Sequence, residues 1–260
     1  MKKLIIIKKK DNNKIIKKKR RKKIKSKNED NDLVFNDYEL NSMPYNKAIM
    51  YDNRSFFKYY ISLISTKNAF IFSFCPMKDY NSTIIKVSLF FLFFAIYYFI
   101  NALFFDEKTI HAIYIDQGLY NFIYLLPHIC YSFVISHTLN TIIKYIFLSE
   151  RNISKIKREK KISDLYDVSQ NVLKCLVIKY ICFYIMSFIF LIFFWYYLSS
   201  FGAVYKNSQK HLIKNIFISF GFSLVYPFLI NILASILRIS SLKGKENELK
   251  YKISQFIQII

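Results

Sequence analysis

Glycine and proline are scarce in this sequence, at 4 each among 260 residues. The phosphate-binding patterns GxGxxG and GxxxxGK followed by Ser or Thr are absent, as are HExxH, GxSxG and a paired-carboxylate arrangement. The four cysteines form no CxxC pair, so we expect neither a disulfide framework nor a zinc site. They are Cys75, Cys130, Cys175 and Cys182. We therefore assign no catalytic residue, no metal and no cofactor.

Long runs without charge stand out against this background. Tyr180–Tyr205 holds 26 uncharged residues between Lys179 and Lys206. At about 1.5 Å per residue, a helix of that length exceeds the roughly 30 Å hydrocarbon core of a bilayer. Similar spans are predicted at Val87–Phe105, Tyr120–Leu148 and Asn215–Leu237. The fold class expected is an all-α polytopic membrane protein, with four transmembrane helices and cytoplasmic amphipathic helices.

The predicted spans contain no Asp or Glu. Acid–base or metal chemistry inside a bilayer normally needs such groups, so we expect a protein that is not an enzyme.

Three domains are expected from the pattern of charge. Residues 1–41 form a disordered polybasic tail, because its charges repel and little of it is apolar. Residues 42–82 form an amphipathic juxtamembrane segment, with one or two helices after a loop over Asn31–Pro44. Residues 83–260 form the four-helix region. Its connection over residues 150–179 is helical, leads directly into the third span and packs against Tyr45–Met77. The stretch Tyr251–Ile260 is expected to form a short surface helix.

The densest basic run of the tail favours contact with anionic lipid, at about 1 kcal/mol per basic residue close to the surface. A solvated tail is the simpler alternative. Nucleic-acid binding is disfavoured because no aromatic residues are interleaved. The run is Lys17, Lys18, Lys19, Arg20, Arg21, Lys22 and Lys23.

Polar residues in two spans share helical faces. In the second span, His137, Thr141 and Lys144 lie on one face. In the fourth, a polar or small residue recurs every four positions: Ser219, Ser223, Pro227, Asn231 and Ser235. This seam can pack against a neighbouring helix or form one wall of a polar cavity. The candidate seam residues are His137, Lys144, Ser219, Ser223 and Asn231. In the first span, Asn101 is expected to form a helix–helix hydrogen bond.

Lys and Arg outnumber Asp and Glu before the first span, after the second span and in the C-terminal segment. The opposite holds for Asp106–Asp116, which we expect to be an external loop. The positive-inside rule therefore predicts cytoplasmic N- and C-termini. The lysine-rich turn Lys206–Lys214 disagrees, and it leaves open a re-entrant pair formed by the last two segments.

Five strings carry a resemblance to a known type of protein. They are YDNRSFFKYY at Tyr51–Tyr60, FSFCPMKDYNSTIIK at Phe72–Lys86, NALFFDEKTIH at Asn101–His111, FWYYLSSFGAVYKNSQKHLIK at Phe194–Lys214 and SFGFSLVYPFLIN at Ser219–Asn231. Over about Asn41–Ile260, the sequence resembles a membrane module at the C-terminal end of long, uncharacterised surface proteins of AT-rich unicellular eukaryotes. The resemblance implies a multi-span anchor and carries no known activity. A fainter likeness links NALFF and the later YP span to the membrane regions of polycystin-type proteins.

Two functions are weighed. One is a non-enzymatic membrane anchor or scaffold, within a homo- or hetero-oligomer and with the lipid bilayer as its partner. The other is a channel or transporter subunit. If His137 and the polar residues of the fourth span all face one wet cavity, transport is favoured. If those residues interdigitate with Ala95 and Ala102, the anchor is favoured.

Overall fold

The structure is a computed structural model that describes residues 35–77, 79–150, 153, 162–244 and 248–259. The chain divides into two units, Met1–Asn36 and Asp37–Ile260. Ten α-helices are described in the second unit. They are α1 (Asp37–Asn41), α2 (Tyr45–Tyr51), α3 (Phe56–Lys67), α4 (Ala69–Phe74), α5 (Thr83–Leu103), α6 (Glu107–Ile115), α7 (Phe122–Phe147), α8 (Ile162–Val204), α9 (Gln209–Lys243) and α10 (Glu248–Ile259).

Four helical segments are long and apolar enough to cross a membrane. They are Thr83–Leu103, Phe122–Phe147, Tyr166–Val204 and Lys206–Lys243. The predicted all-α fold with four transmembrane helices is therefore confirmed for the described part of the chain. The segment Lys206–Lys243 combines a short 3-10 turn, Lys206–Ser208, with α9.

The four long helices run antiparallel in sequence order. The N-terminal end of α5, the C-terminal end of α7 and the C-terminal end of α9 meet α1–α4 and α10. We call α1–α4 and α10 the cap, and this end of the bundle the capped end. The opposite end, where α6 lies, is the far end. Because α9 runs from the far end to the capped end, it is not a short re-entrant segment.

Apolar side chains form the contacts at both ends of the bundle. Near the capped end, α5 packs against Ile143 and Phe147 of α7 and Phe183 of α8. At the far end, six apolar residues of α5, α6, α8, α9 and the turn between α5 and α6 form a second cluster, which we call the far-end cluster. It consists of Ala102, Phe105, Ile113, Phe201, Leu212 and Ile216.

The buried face of α9 is polar and its exposed face is apolar. Ser219, Ser223, Asn231 and Ser235 are buried together with Phe220, whereas many of the large hydrophobic residues of α9 are exposed, among them Phe217, Val225, Leu229 and Leu233. A soluble helix would have the reverse arrangement. This distribution suits a helix that presents apolar side chains to lipid and keeps its polar groups inside the bundle.

The predicted helix–helix hydrogen bond of Asn101 is present. Its Nδ2 donates to Ser219 Oγ at 2.8 Å and to the carbonyl oxygen of Tyr97 at 2.8 Å. This bond joins α5 to α9 between the cap and the far-end cluster.

Two segments predicted as loops contain helices. The loop expected over Asn31–Pro44 includes α1, and the loop expected at Asp106–Asp116 is almost entirely α6. Asp106 begins α6 by accepting a hydrogen bond from the backbone N–H of Thr109 at 2.8 Å. Since such a short helix depends on its cap and on tertiary contacts, hydropathy alone did not reveal it.

The juxtamembrane segment holds three helices where one or two were expected. Ser55 caps α3 and Asn68 caps α4, each through its side-chain oxygen. Asn68 also divides the two helices, because its backbone is extended. It donates to the carbonyl oxygen of Leu224 at 2.6 Å and so attaches the cap to α9.

The helical connection into the third span is confirmed from Ile162 onward, as α8 continues without a break to Val204. Its 43 residues measure about 65 Å at 1.5 Å per residue, twice the thickness of the hydrocarbon core. The expected packing of this connection against Tyr45–Met77 stays a prediction, because most of residues 151–165 lie outside the described side chains. Further along, α8 packs mainly against α5 and α7.

α10 is present where a short surface helix was expected. It packs along α9, and Tyr251 and Ser254 on its inner face are buried. α10 is therefore an integral part of the cap.

The Asn101–Ser219 hydrogen bond is open to a double-mutant cycle. We expect Asn101→Ala and Ser219→Ala to destabilise the protein non-additively, with a coupling free energy of about 0.5–1.5 kcal/mol. The measurement is unfolding in mixed micelles, followed by circular dichroism at 222 nm. Ser199→Ala is the matched control, because Ser199 is exposed and bonds only within α8. Additive effects of Asn101→Ala and Ser219→Ala would contradict the assignment.

Candidate functional site

A buried carboxylate held by two arginines joins the cap to the bundle. Asp52 lies in the turn between α2 and α3, and its side chain is 1% exposed. Arg54 donates from Nε to Asp52 Oδ1 at 2.8 Å and from Nη2 to Oδ2 at 3.0 Å. Arg238 of α9 donates from Nη2 to Oδ2 at 3.0 Å. We call Asp52, Arg54 and Arg238 the arginine–aspartate cluster.

Arg238 is fully buried and is held from several sides. Its guanidinium donates to the carbonyl oxygens of Leu40 at 2.6 Å and Asn41 at 3.0 Å. The rings of Tyr59 and Tyr251 lie 4.9 and 4.6 Å from its central carbon. A planar guanidinium suits this site because it can donate in its plane and stack on both faces.

Arg54 extends the cluster to α1 and α3. It donates to Asp37 Oδ1 at 3.0 Å, to Asn41 Oδ1 at 2.9 Å and to Ser62 Oγ at 3.0 Å. The cluster therefore connects α1, the turn after α2, α3 and α9. A buried ion pair rarely adds net stability, but removing one partner leaves an unpaired buried charge and is strongly destabilising.

The surroundings of Asp52 act on its pKa in opposite directions. Burial alone would raise the pKa of the carboxyl. The hydrogen bonds and charge of Arg54, followed by those of Arg238, outweigh burial and hold the pKa below its ordinary value of 3.8. The carboxylate is therefore ionised throughout the neutral range.

Tyr251 closes the cluster from the side of α10. Burial raises the pKa of Tyr251 to about 12, so its hydroxyl group stays protonated. The hydroxyl donates to the carbonyl oxygen of Met43 at 2.5 Å. This bond connects α10 to the segment between α1 and α2.

A cavity of about 680 Å3 lies between the cap and the bundle. Its walls come from α3, α4, α5, α7, α9 and α10. The polar wall includes Lys67, Asn140 and Lys144, and the apolar wall includes Leu63, Phe93 and Phe220. A cavity of this size and mixed character is typical of a site for a small organic ligand.

Two lysines reach this cavity from different helices. Lys144 Nζ donates to the carbonyl oxygen of Thr66 at 2.6 Å and lies 4.0 Å from the centre of the Phe72 ring. Lys67 donates to the carbonyl oxygen of Gln258. Among the described residues, neither ammonium group forms an ion pair with an acid. Lys86, whose Nζ lies 5.3 Å from the centre of the Phe72 ring, is paired with Asp79 at 3.2 Å.

His137 occupies the deeper part of the cavity. Its Nε2 lies 2.6 Å from the hydroxyl oxygen of Tyr226 on α9, and its ring stacks on Phe133. One turn closer to the cap, Asn140 is 6% exposed. Its Oδ1 has no hydrogen-bond partner within the described structure.

The structure divides the predicted seam residues into two groups. His137, Lys144 and Ser223 line the cavity together, as does Thr141. Ser219 accepts the hydrogen bond from Asn101, and Asn231 donates to the carbonyl oxygen of Pro227 at 2.7 Å. The seam of the fourth span therefore serves as a packing surface at some positions and as a cavity wall at others.

Sequence reasoning missed the arginine–aspartate cluster and Lys67. It placed Asp52, Arg54 and Lys67 on the polar side of the amphipathic helices, and Arg238 at the start of the tail. One signal was present: Arg238 follows the last seam residue, Ser235, by three positions. It therefore continues the face that buries Ser219 through Ser235.

The remaining candidate residues of the sequence concern the tail and the cysteines. Lys17, Lys18, Lys19, Arg20, Arg21, Lys22 and Lys23 lie outside the described residues. None of the four cysteines forms a disulfide bond, and all four are exposed. Within the described ranges, no group of three His, Cys, Asp or Glu residues is positioned to hold a metal ion.

No family model matches this chain, and neither a curated protein nor a solved structure matches it.

Asp52→Asn tests the cluster and its pH dependence. Because the folded-state pKa of Asp52 is depressed, its stabilisation is fully present above pH 3.8 and is lost as the pH falls through the lower, folded-state pKa. We expect a loss of about 3 kcal/mol at pH 6, or a melting temperature on the order of 10 °C lower. The difference from the unmodified protein should shrink below pH 3.8. Circular dichroism melting from pH 3 to pH 7 measures both.

Glu248→Gln is the control, since Glu248 forms an exposed pair with Lys252 on α10. It should change stability by less than about 1 kcal/mol. An Asp52→Asn effect of that small size, or one that grows below pH 3.8, would contradict the role assigned to Asp52.

Proposed function

We propose that the protein is a non-enzymatic integral membrane anchor or scaffold. The observation that supports it most is the arginine–aspartate cluster, which fixes the cap to the end of α9. Ionisable residues in membrane helices commonly mark pathways for ions or substrates. Arg238 instead donates from both terminal nitrogens to groups of the cap and lies beside the rings of Tyr59 and Tyr251, while its Nε has no partner within the described residues. It gives the bundle a rigid face at one end, as a scaffold needs.

The resemblance to the C-terminal membrane module of long surface proteins points to the same function. In this proposal the bilayer is the main partner, assembly into homo- or hetero-oligomers is compatible with the exposed helix faces, and nucleic acid is not a partner. The basic run Lys17–Lys23 contributes contact with anionic lipid.

In the proposed orientation, the capped end faces the cytoplasm. The first and last described helices, α1 and α10, both belong to the cap. The excess of Lys and Arg before α5, after α7 and after α9 supports this orientation.

A channel or transporter subunit is the second candidate, and the cavity favours it. His137, Lys144 and Ser223 line one cavity between the cap and the long helices. The far-end cluster lies between this space and the far end on both α5 and α9, and transport would need it to open.

Reconstitution of the purified chain into vesicles discriminates between the two candidates. We expect no selective ion flux above that of empty vesicles, because apolar side chains close the far end. Selective flux that is lost in Lys144→Met and kept in Lys252→Met would overturn the anchor in favour of a channel. Lys252 is the matched control because it is exposed on α10.

Thiol labelling tests the orientation. Cys75 lies exposed between α4 and α5 at the capped end, and Asp116 lies exposed after α6 at the far end. In sealed microsomes and in a background with the other cysteines changed to Ser, we expect an impermeant maleimide to react with Cys75. A cysteine introduced by Asp116→Cys should react only after detergent is added. The reverse labelling pattern would show that the capped end faces away from the cytoplasm.

A further inference from the structure

We propose that the cavity between the cap and the bundle binds the headgroup of an anionic, hydroxylated phospholipid, with Lys67 and Lys144 holding its phosphate. This site goes beyond the anchoring role, and it is separate from lipid contact by the basic tail. Charge, depth in the membrane, an unpaired acceptor and the apolar wall support it.

Charge is the first argument. Lys144 and Lys67 come from α7 and α3 and are joined through neighbouring residues, since Lys144 bonds to the carbonyl oxygen of Thr66. Both also donate to neutral carbonyl oxygens, so each retains N–H groups for another acceptor. The acids that line the cavity are already engaged. Asp79 pairs with Lys86, and Glu150 accepts from the backbone N–H of Tyr80 and from Asn81. Both of these donors to Glu150 are neutral, so the three lysines in or beside the cavity, Lys67, Lys86 and Lys144, exceed its two carboxylates by one charge. The ammonium groups of Lys67 and Lys144, which form no ion pair within the described residues, complement a phosphate group.

Depth in the membrane is the second argument. Lys144 lies three residues before the C-terminal end of α7, about 5 Å along the helix axis. That position corresponds to the boundary between hydrocarbon and headgroups, where lysine side chains reach toward lipid phosphates. Tyr145, which also lines the cavity, is 69% exposed on the outside of α7. The cavity therefore reaches a residue of α7 whose side chain is exposed on the surface of the bundle.

An unpaired acceptor is the third argument. Asn140 Oδ1 is buried, lines the cavity and has no donor among the described residues. A buried acceptor without a partner costs about 1–3 kcal/mol. Phosphate oxygens cannot satisfy it, because they are acceptors themselves. A hydroxyl group of a glycerol or inositol headgroup can donate to it.

The apolar wall argues for a lipid rather than a soluble anion. Leu63, Phe72, Phe93 and Phe220 line the same cavity as the two lysines. Its volume of about 680 Å3 is many times the roughly 30 Å3 that one water molecule occupies in the liquid. It has room for a headgroup and the beginning of an acyl chain, and inorganic phosphate would leave this wall uncovered.

Native mass spectrometry of the full chain, delipidated in neutral detergent, tests the site. The probes are dioctanoyl phosphatidylinositol, dioctanoyl phosphatidylcholine, inositol phosphate and inorganic phosphate. Adducts are counted at 0.15 M and 0.5 M salt, because high salt screens contacts with the basic tail. We expect one phosphatidylinositol adduct that persists at 0.5 M salt and weaker binding of the other probes.

The test variant is Lys67→Gln with Lys144→Gln, in which each amide can still donate to Thr66 or Gln258. Affinity for phosphatidylinositol should fall at least tenfold. The matched control is Lys58→Gln with Lys250→Gln, which removes the same charge from exposed positions on α3 and α10 and should keep the adduct. Equal affinity in the test variant, or an equal loss in the control, would overturn the proposal.

Photocrosslinking of the unmodified protein provides a readout that depends on no variant. Phosphatidylinositol with a diazirine on its acyl chain should label the peptides of α5 and α9 that contain Phe93 and Phe220. Crosslinking that occurs only on other helices would overturn the proposed site. If inositol phosphate or inorganic phosphate bound as tightly as phosphatidylinositol, the site would belong to a soluble anion. If phosphatidylcholine were retained as well as phosphatidylinositol, the charge of the two lysines would have no role in binding.

Discussion

Asp52 lies between Arg54 and Arg238, and the ionic attachment of the cap to α9 depends on this one carboxylate. Two cations stacked near tyrosine rings in a dry site would repel each other without it. With it, each oxygen of Asp52 accepts from an arginine, and the arginines use their other donors on α1 and α3. Buried charge is costly. Here the cost is offset by a nearly complete set of partners.

The cavity also depends on the position of the cap on the long helices. One of its walls comes from the long helices, and another comes from cap residues such as Leu63, Lys67 and Gln258. These residues are held in place by α3 and α10, which in turn pack on α9 beside the cluster. The site that we assign to a lipid headgroup is therefore built from two layers, and it requires the cap to be seated.

Hydropathy predicted the parts of the fold that the bilayer itself constrains. A membrane span must be long and apolar, so the positions of the spans could be predicted. The four-residue repeat from Ser219 to Ser235 correctly predicted a buried face. Short helices such as α6 could not be predicted from hydropathy, because they depend on a capping side chain and on packing. The pairing of Asp52 with Arg238 joins residues 186 positions apart. One sequence carries no pattern that brings two such distant residues together. Lys67 and Lys144 also lie far apart in the sequence, so the sequence did not show that they line one cavity.

The separation of Asp52 from Arg238 also sets an order of events during synthesis. Asp52 and Arg54 leave the ribosome early and can pair at once, since they are two residues apart. Arg238 arrives only after the fourth membrane helix has been made. Until then, Asp52 is paired with Arg54 alone. After insertion of that helix, Arg238 also donates to Asp52. A chain that fails to insert its last helix therefore leaves Asp52 without its bond to Arg238, and α1 without the donors that this arginine supplies.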